Sequence, residues 1–108
     1  MARNVMVPKH RRPSTPGEFI REFVDDPELN LTQGVLAERL RVSRANLNAI
    51  INGKRAVTPG MAMRLERVLS VSMQTWINLQ TAVDIYDAVH SREASEIAML
   101  RPLRKPAA

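Results

Sequence analysis

The chain has 108 residues, 44% hydrophobic, 25% charged and 4% aromatic, with no cysteine. That composition belongs to small globular domains and excludes disordered, collagenous and disulfide-stapled chains, and the length leaves no room for the two-lobed architectures of large enzymes. Sixteen Lys and Arg against eleven Asp and Glu give a net charge of +5, which favours an anionic partner such as nucleic acid, while the missing cysteine removes zinc fingers and thiol catalysis together.

Residues 1–15 carry Arg3, Lys9, Arg11 and Arg12 with Pro8 and Pro13, a composition that closes no core and reads as a flexible basic arm. The domain is expected over 16–90. Its first helix opens at Thr15, with Pro16 at the first helical position and Glu18 completing a capping box, and continues through Phe19, Ile20, Phe23 and Val24 at helical spacing. Pro27 limits it. The stretch around it holds Glu22, Asp25, Asp26 and Glu28 with no basic residue, a local acidic patch in a basic protein.

Thr32 and Ser43 cap two further helices. Leu31 before the first staples onto Leu36, Val42 before the second onto Leu47, and Leu36, Ala37, Leu40, Leu47, Ile50 and Ile51 supply the buried faces. Gly53 ends the third helix. Thr58 and Pro59 open a fourth, with Met61, Met63, Leu65, Val68 and Leu69 available to the core. Ser72 opens a fifth and longest, stapled by Val71 and Trp76 and continued by Leu79, Val83 and Tyr86. The periodicity fades after His90, leaving 91–108 as a polar tail. Nothing alternates with the period of a strand. The expected fold is all-α, a compact five-helix domain with flexible ends.

The second and third helices are separated by only Arg41, Val42 and the cap Ser43, which makes them cross steeply in helix-turn-helix fashion. Small Ala37 lets the backbones approach. Outward on the third helix lie Arg44, Ala45, Asn48 and Asn52, residue types that match base edges: Arg pairs with guanine O6 and N7, Asn with adenine N6 and N7, and a methyl meets thymine. Ser43 and Asn46 flank that stripe, Lys54 and Arg55 reach phosphate, and Gln33 contacts phosphate or braces the reading side chains. A helical hairpin with a solvated basic face has the same spacing; the caps, small residue, stripe and basic flank together favour DNA.

On these residues the chain resembles a known family. Gln33 to Asn52 looks like the helix-turn-helix of Xre/Cro-type, lambda-repressor-like regulators. The wider frame, Pro16-Gly17-Glu18-Phe19-Ile20, Asn52-Gly53-Lys54-Arg55-Ala56-Val57-Thr58-Pro59 and Trp76-Ile77-Asn78-Leu79-Gln80 with Tyr86-Asp87, is similar to HigA antitoxins. Arg41 departs from the pattern, since such turns often carry Gly in the left-handed conformation. The resemblance implies an antitoxin that neutralises a HigB-like, mRNA-cleaving toxin and represses its own operon by binding operator DNA as a homodimer. The alternative is a stand-alone Xre-type repressor with no toxin partner.

The dimer is expected through the fifth helix, at Trp76, Ile77, Leu79, Val83, Ile85 and Tyr86, because that helix is longer than the core requires. A toxin that docks on ribosomal RNA should be basic, which makes Glu22, Asp25, Asp26 and Glu28 its candidate contacts. His10 and His90 are far apart in sequence, and Asp84 and Asp87 have no histidine beside them, so neither a catalytic site nor a metal or other cofactor is expected. No apolar run approaches the ~18 residues of a membrane span, and Met1 to Pro8 lacks the apolar stretch of a secretory signal. A cytoplasmic protein without membrane association is therefore expected.

Overall fold

Thr15, Thr32, Ser43, Thr58 and Ser72 each accept a hydrogen bond from the backbone N–H three residues on, so all five expected helices start where a hydroxyl satisfies an unpaired donor. At Thr15 the box is complete, with Glu18 Oε1 accepting the Thr15 N–H at 3.0 Å. The computed structural model describes residues 11–104. The helices are α1 (Pro16–Asp25), α2 (Gln33–Leu40), α3 (Arg44–Ile51), α4 (Pro59–Leu69), α5 (Met73–Val89) and α6 (Arg92–Ile97). No strand occurs among the described residues.

One apolar core joins the first five helices. Ile20 of α1, Leu36, Ala37 and Leu40 of α2, Leu47, Ile50 and Ile51 of α3, Met61, Ala62 and Leu65 of α4 and Trp76 of α5 are buried together with Val57. The Phe19 ring lies 5.1 Å from that of Trp76, and the indole N–H donates to the Val71 carbonyl at 3.1 Å, which satisfies its one polar atom inside the core. Leu31, Val42 and Val71 pack against this cluster, as expected of residues stapling helix starts.

Three expectations change. Residues Arg92–Ile97 form a sixth helix within the expected polar tail. The segment has good helix formers but no apolar stripe, and it buries no residue. Met63 is 56% exposed rather than in the core, because α4 turns Met61, Ala62 and Leu65 inward and places Met63 on the opposite side. Trp76 and Val83, assigned to a dimer face, are 0% and 4% exposed; the protomer's own core takes them, since α5 must cover α1 and α4 before it can offer anything to a second copy. The first ten residues of the arm, with His10, lie outside the described residues.

Candidate nucleic-acid interface

The turn between α2 and α3 fixes how the third helix is presented. Arg41 has φ 59° and ψ 45°, the left-handed conformation that glycine adopts more cheaply, at a cost of about 1 kcal/mol. Its N–H donates to Glu38 O, and Val42 N–H reaches back to Ala37 O at 3.1 Å, closing a Schellman motif around a non-glycine residue. Arg64 of α4 compensates. Its Nη1 donates to Leu40 O at 2.7 Å and to Arg41 O at 3.4 Å, placing a cation on the negative end of α2.

With that turn set, Arg44, Ala45, Asn48 and Asn52 are all exposed. Asn48 Nδ2 donates to Gln33 Oε1 at 3.2 Å, Asn52 Nδ2 donates to Asn48 Oδ1 at 3.1 Å, and Arg21 Nη2 donates to Asn52 Oδ1 at 3.0 Å. Gln33 thus holds the Asn48 amide from α2. Arg21, on α1, was not anticipated. Its only signal is indirect: Gly17 packs on the carbonyls of Ile50 and Ile51, and four residues later the same face of α1 arrives at the end of α3. The Arg44 guanidinium lies over Gly34, whose missing Cβ would stand 3.4 Å from it.

The end of α3 is a second Schellman motif: Gly53 has φ 75°, and Lys54 N–H donates to Ala49 O at 2.8 Å. It turns the chain so that Lys54 and Arg55 are exposed beside the end of α3. Gln80 of α5 holds this loop from behind, its Oε1 accepting the Val57 N–H at 2.8 Å. The Ser43 hydroxyl is engaged as a cap to Asn46 N–H. Asn46 itself is half-buried on another flank of α3, beside Ile50, Arg55, Ala56, Thr58 and Met61. Arg39 and Arg41 lie apart from this row and line a separate groove with Arg64 and Arg67.

Arg12 makes two 2.8 Å hydrogen bonds to the Asp87 carboxylate. The pair brings the end of the basic arm against α5, in a cleft of about 180 Å³ that Lys54 and Arg55 also line. Hydrogen bonding to Arg12 holds the Asp87 pKa below its ordinary value.

The helix-turn-helix family model matches residues 20–76, from α1 into the first turn of α5. Antitoxin HigA-1 of Vibrio cholerae is 33% identical over 94 residues, covering 86% of each chain. The chain belongs to the helix-turn-helix family and, within it, to the HigA group. The transcriptional regulator YbaQ of Escherichia coli is 36% identical over 87 residues, 80% of this chain and 75% of YbaQ. Antitoxin HigA of Pseudomonas aeruginosa, solved with the higBA promoter, superposes with a TM-score of 0.74 at 32% identity, covering 86% of this chain and 100% of that one.

In this HigA-group fold the other expected sites are placed as follows. Ile77 and Leu79 pack partly on the core, Tyr86 stacks on His90 with ring centres 4.0 Å apart, and Ile85 and Val89 are 49% and 60% exposed. Glu22, Asp25 and Glu28 are exposed, whereas Asp26 is half-buried and closes the turn after α1 by accepting the Glu28 N–H at 2.9 Å. Asp84 accepts from Gln80 at 2.9 Å. Among the described residues no cluster of His, Asp and Glu is arranged to hold a metal, and no helix is long and apolar enough to cross a membrane.

Proposed function

We propose that this chain is the antitoxin of a type II toxin–antitoxin pair, acting in the cytoplasm as a homodimer that reads operator DNA with α3, represses its own operon and neutralises a HigB-like mRNA-cleaving toxin. The observation that carries the DNA half is the exposed row of Arg44, Ala45, Asn48 and Asn52, braced by Gln33 and flanked by Lys54 and Arg55. That row offers donors and acceptors to a major groove, while the basic flank and the unpaired N–H groups opening α2 suit phosphate. Two relatives that are antitoxins by name, HigA-1 of Vibrio cholerae and HigA of Pseudomonas aeruginosa, support the toxin half.

The test has two arms. A duplex taken from immediately upstream of the coding sequence should shift specifically, with an affinity that falls as salt rises; equal binding to scrambled duplexes refutes specific reading. Co-expression of the adjacent reading frame should be toxic without this chain and harmless with it. Growth inhibition that persists in its presence refutes neutralisation.

YbaQ, a transcriptional regulator by name, favours one second reading, a stand-alone repressor. A genomic neighbourhood without a small basic protein decides for it. In either case the dimer would use Ile85, Val89 and the flank of Tyr86, setting two recognition helices about 34 Å apart on a palindromic site. Sedimentation of Ile85→Asp should give monomer where the parent gives dimer. For toxin docking at Glu22, Asp25 and Glu28, Asp25→Lys is the clean probe, because Asp26 has a turn to hold; an unchanged association rate refutes that surface.

A further inference from the structure

Four side chains, from α1, α2, α3 and the residue that caps α3, form one directed relay: Arg21 to Asn52, Asn52 to Asn48, and Asn48 to Gln33. An amide side chain in such a chain can point either way, oxygen first or nitrogen first, and these residues are solvent-exposed or nearly so, so burial does not choose. The end groups choose. A guanidinium has donors and no acceptor, so Asn52 must turn its oxygen to Arg21 and its nitrogen to Asn48, and the same direction passes on to Gln33.

The direction decides what DNA meets. Asn48 keeps one N–H and one oxygen lone pair in a fixed order, the pair needed for adenine N7 and N6. Gln33 has its oxygen occupied by Asn48 and keeps both N–H groups, beside the opening turn of α2, where the backbone also presents donors. Both then suit a phosphate oxygen. In the reversed relay Asn48 would offer its groups in the opposite order, and Gln33 would turn a carbonyl towards the phosphate.

We infer that Arg21 is a positioning residue for base reading: from α1 it sets the direction of the Asn52–Asn48–Gln33 relay and so the order of groups that Asn48 shows to a base pair. The inference rests on the reading of DNA by α3. Removing the guanidinium frees the amides to flip, and discrimination falls at the base pair that Asn48 faces. A plain phosphate contact by Arg21 would behave differently, weakening every sequence alike.

The experiment is selection from a randomised duplex library by the full chain, the parent beside Arg21→Met, Arg21→Lys, Asn48→Ala and Gln33→Ala, with folding checked by circular dichroism. Arg21→Met and Asn48→Ala should relax the same base pair of each half-site, Arg21→Met by about tenfold, within the range of one base contact. Arg21→Lys, also donor-only, should restore the preference. Gln33→Ala should cost several-fold less affinity in the Arg21→Met background than in the parent, a coupling between residues that do not touch. If Arg21→Met keeps the parent's preference, or relaxes a different pair from Asn48→Ala, the inference fails while reading by α3 stands. If the parent itself enriches no sequence, both fall.

Discussion

The tripeptide Thr-Pro-Gly occurs twice, at Thr15-Pro16-Gly17 and at Thr58-Pro59-Gly60, each time as cap, first and second residue of a helix. Substituting alanine for the two glycines should nonetheless have opposite effects. A Cβ at Gly60 meets nothing nearer than Thr58 Oγ1 at 4.0 Å, so Gly60→Ala gains about 0.5 kcal/mol from the lower entropy of the unfolded chain. A Cβ at Gly17 would stand 2.2 Å from Ile50 O, 2.5 Å from Ile51 O and 2.8 Å from Ile51 C. These are backbone atoms of α3, which cannot rotate aside, so α1 must withdraw by about 1 Å, enough to forfeit a quarter to a half of each contact along the seam. Overpacking of this kind costs about 3 kcal/mol, at the upper end of its usual range. Against a gain near 0.5 kcal/mol, the net loss is about 2.5 kcal/mol, a fall in Tm of roughly 10 °C for a domain of this size. Thermal unfolding followed by circular dichroism should show Gly60→Ala slightly above the parent and Gly17→Ala well below it. An unchanged or raised Tm for Gly17→Ala refutes the close crossing of α1 on α3.

Arg41→Gly should raise stability by up to about 1 kcal/mol, because glycine occupies the left-handed turn without strain and the Arg64 cap reaches backbone carbonyls that remain; denaturant titration checks it. Arg44→Ala should lose about 1 to 3 kcal/mol of discrimination at one base pair, whereas Lys54→Ala should weaken all duplexes alike and reduce the salt slope by about one unit, both read by mobility-shift titration. The Asp87 carboxylate is held below its ordinary pKa by Arg12, so the pair stabilises the fold above Asp87's unfolded pKa and releases as pH falls through the lowered folded value. An NMR titration should show the Asp87 pKa rising towards its ordinary value in Arg12→Ala; no change between the two refutes the pairing.

The helix starts and the exposed stripe along α3 were legible in the chain because their causes are local. A hydroxyl followed three residues later by a free N–H, an apolar residue every three or four positions, and a three-residue link between two helices are all interactions within a turn or two of backbone. They fixed α1 to α5, most of the core, the strained Arg41 and the outward row from Arg44 to Asn52. Whatever depends on which helix lies against which was not written locally. Gly17 and Gly60 each follow Thr-Pro at a helix start, and the approach of α3 separates them. Trp76 and Val83 fit an interface as well as a core by periodicity, and the packing of α5 on α1 and α4 took them inside. Arg21 and Asn52 are 31 residues apart and meet only because Gly17 lets α1 press onto the end of α3. Capping and periodicity are settled by bonds among near neighbours, while burial and long-range pairing are settled by the single arrangement in which all the apolar faces are covered at once.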